Sequence, residues 1–181
     1  IYAAGVPLAE FDSKAKSTEF DPFVAAEQAG RKQVSAEDFA LKSRSDHPAV
    51  LGACGLLPYY PALYDKAKMA KTLDWVMQNW NWPTTWGWDY GMIAMTAARL
   101  GRPETALEAL LIDKGKNTYL VSGHNFQEPK RLRLYMPGNG SLLAAVAMMC
   151  AGWDGCAEPS NPGFPKDGKW NVRWEGFQRM Q

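Results

Sequence analysis

Apolar positions first fall into regular order after residue 46. His47-Pro48-Ala49-Val50-Leu51-Gly52-Ala53-Cys54-Gly55-Leu56-Leu57 is apolar, rich in small residues and without a polar face, which predicts a buried helix. Asp46 is its expected N-cap, and Pro58 and Pro61 close it. Over 64–80, Leu63, Ala67, Ala70, Leu73, Met77 and Trp80 recur at three- and four-residue spacing, with Lys66, Lys68 and Lys71 outward. That predicts an amphipathic helix. A tryptophan-rich loop broken by Pro83 fills 81–88. Residues 89–100 (Tyr90, Met92, Ile93, Met95, Ala97, Ala98, Leu100) read as a second buried helix opened by Asp89 and stopped by Gly101. Pro103 starts an amphipathic helix over 103–112. Residues 113–138 read as loop with turns. Residues 141–151 (SLLAAVAMMCA) form a third buried helix, with Asn139 or Ser141 as cap and Gly152 as stop.

Buried and half-buried helices thus alternate. In a plain bundle every helix would carry one apolar stripe. Alternation instead predicts an all-α fold in two concentric layers, with the apolar helices inside. Upstream, the pattern is weak. Asp21 and Pro22 open a short helix over 21–27 that Gly30 ends, and a single turn follows Ser35 within loop. In the tail, Asp167-Gly168 signals a turn, and Trp170, Val172 and Trp174 alternate as a β-strand would. The expected division is an N-terminal extended segment at 1–46, helical hairpins over 47–152 and a C-terminal tail with a strand at 153–181.

Composition narrows the function. The 181 residues suit one domain or part of a larger one, and 46% apolar content is enough to fold. Twenty Lys+Arg against nineteen Asp+Glu leave no basic face of the kind that neutralises nucleic-acid phosphates. No apolar run reaches the roughly 20 residues of a membrane span. The start, IYAAGVPLAEFDSK, has no Met, no basic stretch and no apolar core of a signal peptide. The missing Met suggests a processed or truncated piece. Cys54, Cys150 and Cys156 are expected as buried free thiols in preference to a Cys150–Cys156 bridge, and two histidines leave little room for a His-rich metal centre. No metal or cofactor is expected. The distinctive feature is aromatic: Trp80, Trp82, Trp86 and Trp88 fall within nine residues. Indoles fill cores, and they are also flat platforms for sugar rings.

Four groups of residues could carry chemistry. Asp89 opens a buried helix between indoles (WGWDY) and serves either as a cap or as a base or hydroxyl acceptor in a sugar site. Ser122-Gly123-His124-Asn125-Phe126-Gln127 offers an imidazole and two amides in a glycine-bearing loop, against the plainer role of a self-bonded turn. Tyr135-Met136-Pro137-Gly138-Asn139-Gly140-Ser141 is a glycine-rich turn at a helix start, and capping alone accounts for Asn139. His47 stands at the start of the first buried helix. Asp46, His47, Asp89, His124 and Asn139 all lie at or just before the expected inner-helix starts. Parallel inner helices would bring them to one rim.

The strings SDHPAVLGACGLLP, TLDWVMQNWNWPTTWGWDYGMIAMTAARLGRPETALEALL, NTYLVSGHNFQ, LRLYMPGNGSLLAAVAMMCAGWDG and PGFPKDGKWNVRWEGF together resemble the C-terminal part of bacterial six-hairpin glycosidase-like proteins. These are related to glycoside hydrolase families 65 and 95, and the resemblance covers about residues 44–177. It implies part of an (α/α)6 toroid with a sugar site at its mouth. It also implies a glycoside hydrolase of inverting type, periplasmic or extracellular, whose general acid lies in hairpins this chain lacks. In family 95 a similar Gly-Asn turn carries a catalytic Asp just before the Gly. Here that position is Pro137, which leaves Asp89 as the candidate base. His47, Trp86, Trp88, His124, Asn125 and Asn139 are the expected substrate-binding residues. The expected partners are a carbohydrate, and either the missing N-terminal part or further copies of the chain covering exposed inner helices. The alternative is a non-catalytic carbohydrate-binding helical domain.

Overall fold

A computed structural model describes residues 44–58 and 64–181. The helix expected at 21–27 and the turn after Ser35 lie outside the described residues. Among those described, the protein is mostly helical with one small two-stranded sheet. A 3-10 turn at Ala49–Leu51 leads into α1 (Gly52–Gly55). Then come α2 (Lys66–Asn79), a 3-10 turn at Trp82–Thr84, α3 (Gly87–Arg99), α4 (Pro103–Leu111), β1 (Thr118–Tyr119), β2 (Asn125–Phe126) and α5 (Met136–Ala151).

The centre is α3. It packs against α5, α4 and α1, and every residue in it except Trp88 is buried. Its lack of a polar face is what demands neighbours on all sides. Its C-terminus closes as a Schellman motif: Gly101, at φ 76°, donates to the Ala98 carbonyl, and Arg102 N–H donates to that of Ala97. Pro103 then opens α4 without losing a helical hydrogen bond. On α2 the inward stripe is Met69, Leu73 and Val76: of the stripe expected, Leu73 and Trp80 are buried, Ala70 and Met77 only half-buried, Ala67 exposed, and Leu63 lies outside the described residues. Asp65 caps the helix by accepting Lys68 N–H. In α4 only Ala106 and Ala109 are buried.

Three expected elements differ. The first apolar stretch forms one 3-10 turn and one α-turn rather than a continuous helix over 47–57, and Leu56 and Leu57 are exposed. Asp46 does not cap it, because its backbone sits at φ 66°. The last helix begins at Met136, well before 141, since Pro137 fits its first turn. Asn139 and Ser141 therefore lie inside the helix and neither caps it. Finally, 170–174 forms no strand among the described residues: no described segment runs alongside it as a ladder partner, and the Asn161 side chain instead bonds the Val172 carbonyl and the Trp174 indole N–H. The tail is held instead by a parallel bridge between Trp153 and Met180, and by Arg99, which donates to the carbonyls of Cys54, Leu57 and Gln181.

The loop expected over 113–138 does turn, and it also carries the antiparallel β1–β2 pair, with Thr118 opposite Phe126 and Tyr119 opposite Asn125. Cys54, Cys150 and Cys156 are free thiols, the first two buried. None of the described helices is long and apolar enough to cross a membrane.

Candidate functional site

The site grows from the first turn of α3. Trp86 is the N-cap position and Asp89 is the third helical residue, so Asp89 is not the cap its sequence position suggested. Its Oδ2 turns back to accept Trp86 N–H at 2.7 Å, which satisfies a donor the helix itself leaves free. His47 Nδ1–H donates to Asp89 Oδ1 at 2.9 Å, with Oδ2 at 3.2 Å. The Asp89 side chain has no accessible surface, whereas His47 is 30% exposed. Burial pushes the Asp89 carboxyl above the ordinary carboxylate range. The Trp86 N–H and His47 pull it partly back, and the charge of Asp46 adds to the rise. The carboxylate thus faces an imidazole rather than solvent. With Nδ1 committed, the His47 edge that reaches outward is Nε2.

Around this pair stand aromatic rings. The Trp88 and Trp86 centroids lie 4.8 Å and 5.9 Å from that of His47. Tyr135 lies 5.6 Å from Trp86, and Lys116 Nζ sits 4.6 Å over the Trp86 ring. Beyond Nε2, at 3.5 Å, is a carboxylate oxygen of Asp46, whose side chain is 66% exposed. Two backbone bonds pin Asp46: its N–H donates to Thr84 Oγ1 at 2.7 Å, and its carbonyl accepts Trp80 Nε1–H at 2.9 Å. Among the described residues no three His, Cys, Asp or Glu side chains form a set able to hold a metal ion.

Next to this group, the β1–β2 hairpin is locked to the start of α5. Asn125 is fully buried; its N–H donates to Asn139 Oδ1 at 2.8 Å, and its amide donates to the carbonyls of Lys116 and Thr118. Asn139 donates in turn to the Gly123 carbonyl at 2.8 Å. Gly87 and Gly138 press on the Asn125 side chain so closely that a Cβ at either position would collide with it. Gln127 Oε1 accepts Gly87 N–H at 2.9 Å, and Ser141 Oγ donates to the Trp88 carbonyl. The Gln127 amide nitrogen is buried with no partner among the described residues.

Of the residues singled out in the sequence, His47, Trp86, Trp88 and Asp89 therefore meet in one cluster. Asn125 and Asn139 form an adjoining lock, and burial keeps Asn125 from meeting a ligand directly. His124 is half-buried on the hairpin turn, where it bonds to Ser122 Oγ at 3.2 Å. Tyr135, from the glycine-rich candidate turn, joins the cluster against Trp86, and Lys116 joins it without any sequence signal, because loop residues carry no periodicity. A separate cleft of about 480 Å³, walled by Arg44, Asn79, Trp80, Trp82 and Lys114 among others, includes none of the four clustered residues. Comparison with family models, with curated proteins and with solved structures gives no match to the chain in any of the three.

Proposed function

We propose that this chain is the C-terminal part of a glycoside hydrolase with an (α/α)6 toroid fold, and that the His47–Asp89 cluster is part of its sugar site. One observation carries the reading: a buried carboxylate is aimed at a half-exposed imidazole between two indoles, where segments from four parts of the chain meet. Indole faces suit the apolar C–H face of a pyranose, and an outward Nε2 suits its hydroxyls. The motif resemblance to six-hairpin glycosidase-like proteins supports the same substrate class. Asp89 acts in this reading through His47, whose tautomer and orientation it fixes, as buried carboxylates do for imidazole bases elsewhere. Inverting hydrolysis needs a second carboxyl group to protonate the leaving oxygen. That acid belongs to hairpins outside this chain, and the isolated chain is expected to be inactive on aryl glycosides. A periplasmic or extracellular location follows from the resemblance.

Exposed apolar surface supports the need for a companion. On α5, Leu143 is 68% exposed and Met136 57%, and a companion seated along this helix would cover both. The cover is the remainder of a toroid or another copy of the chain. A non-catalytic carbohydrate-binding domain is the second reading, favoured by Pro137 at the position of the family 95 base and by the burial of Asp89. Titration of the chain's tryptophan emission with oligosaccharides tests the sugar site. Saturable quenching that Trp86→Ala abolishes is expected, and no response to any sugar would overturn it. Glycosidase assays on the complete protein separate the catalytic reading from the non-catalytic one.

A further inference from the structure

The imidazole at the centre of this site lies between two carboxylates of opposite exposure. Asp89, at Nδ1, has no accessible surface, and Asp46, near Nε2, is 66% exposed. We infer that Asp46 is the carboxylate of this site that meets the ligand, accepting hydrogen bonds from hydroxyls of a sugar ring seated against His47, Trp86 and Trp88. The inference rests on the carbohydrate reading above and deepens it by naming a contact residue.

Three observations lead there. First, Asp46 is not engaged as a helix cap: the following 3-10 turn has Pro48 at its cap position and receives no side-chain bond. Its carboxylate is spared for another use. Second, its position is fixed from the backbone. Thr84 Oγ1 and Trp80 Nε1 hold its N–H and carbonyl from the far side, so the side chain is delivered to the imidazole edge without spending its own oxygens. Third, at 3.5 Å from Nε2 its contact with His47 is looser than the 2.9 Å bond on the Asp89 side. A hydroxyl approaching from solvent can bridge Nε2 and Asp46, with the imidazole edge on one side and a charged acceptor on the other. The charged groups facing this imidazole are Asp89 and Asp46, with Lys116 set back over the Trp86 ring. An ionised acceptor bonds hydroxyls more strongly than a neutral one.

The test uses the full chain on a microarray of immobilised oligosaccharides, comparing wild type, Asp46→Asn and Trp86→Ala. Asparagine tolerates the same left-handed backbone and keeps the shape, so the charge alone is removed. Asp46→Asn should keep the wild-type melting temperature and lose roughly ten- to a hundredfold in apparent affinity for every glycan that wild type retains, the worth of a charged hydrogen bond. Equal retention by wild type and Asp46→Asn, with Trp86→Ala defective, would overturn this inference and leave the carbohydrate reading standing. Retention of no glycan by the wild-type chain would overturn both.

Discussion

Helices α3 and α5 look alike as sequence, each apolar around its whole circumference, yet they live differently. α3 has neighbours on every side and hides nearly all its residues. α5 is buried at Gly138, at Ala145 and from Met148 to Ala151, while Leu143 faces outward and Leu142 and Val146 are partly open. An apolar circumference states how many sides a helix needs covered. It does not state which of them this chain covers. The contrast between the two helices marks where the companion proposed above would sit.

The comparison can be broken most directly in the core. Ile93→Ala removes a fully buried side chain from α3 and should cost about 2–5 kcal/mol in urea unfolding. Leu143→Ser on α5 should change the isolated chain by no more than about 0.5 kcal/mol. Equal costs would mean that α5 is covered after all, and dynamic light scattering would then show self-association. An effect between these two is expected at Asp89. Asp89→Ala gives up the bonds from Trp86 N–H and His47 and should cost about 1 kcal/mol, the usual worth of such a helix-terminal bond.

Asp89→Asn sharpens the site end of α3 through pH. Because burial raises the Asp89 carboxyl, its contribution to stability is fully present below the ordinary carboxylate value and is lost as pH rises through the raised one. Relative to wild type, Asp89→Asn should therefore gain stability as pH rises from acid toward neutral. Denaturant midpoints at a series of pH values check this, and a relative loss would mean that pairing with His47 outweighs burial. In the complete protein the same variant should lose turnover by orders of magnitude if Asp89 governs the base, with no loss of melting temperature.

How much of this was legible beforehand follows from the physics of each element. Helices α2, α3 and α4 were readable because apolar recurrence, Gly101 and Pro103 mark them locally, although the buried stripe of α2 runs through Met69, Leu73 and Val76 rather than Ala67, Ala70 and Met77. The meeting of His47 with Asp89 was foreshadowed by their shared position at helix starts. The early start of α5 was hidden by Gly138 and Gly140, poor helix formers whose first turn is nonetheless anchored by Asn139 and Tyr135 through tertiary bonds. The missing strand at 170–174 shows the limit of alternation: a β pattern needs a partner, and none of the described segments pairs with it. Asp46 has the sequence position of a cap, since Asp before an apolar run usually is one. Its positive φ, set by Thr84 and Trp80 from distant positions, left no local trace.

The packing of the His47 ring against Trp86 and Trp88 has an optical consequence. A protonated imidazole beside an excited indole accepts an electron and dims its emission, whereas the neutral ring does so far less. These two indoles therefore form a built-in gauge of the charge on His47, readable without label or substrate. The buried indoles of Trp82 and Trp153, away from that ring, supply a steady background against which the signal can be measured.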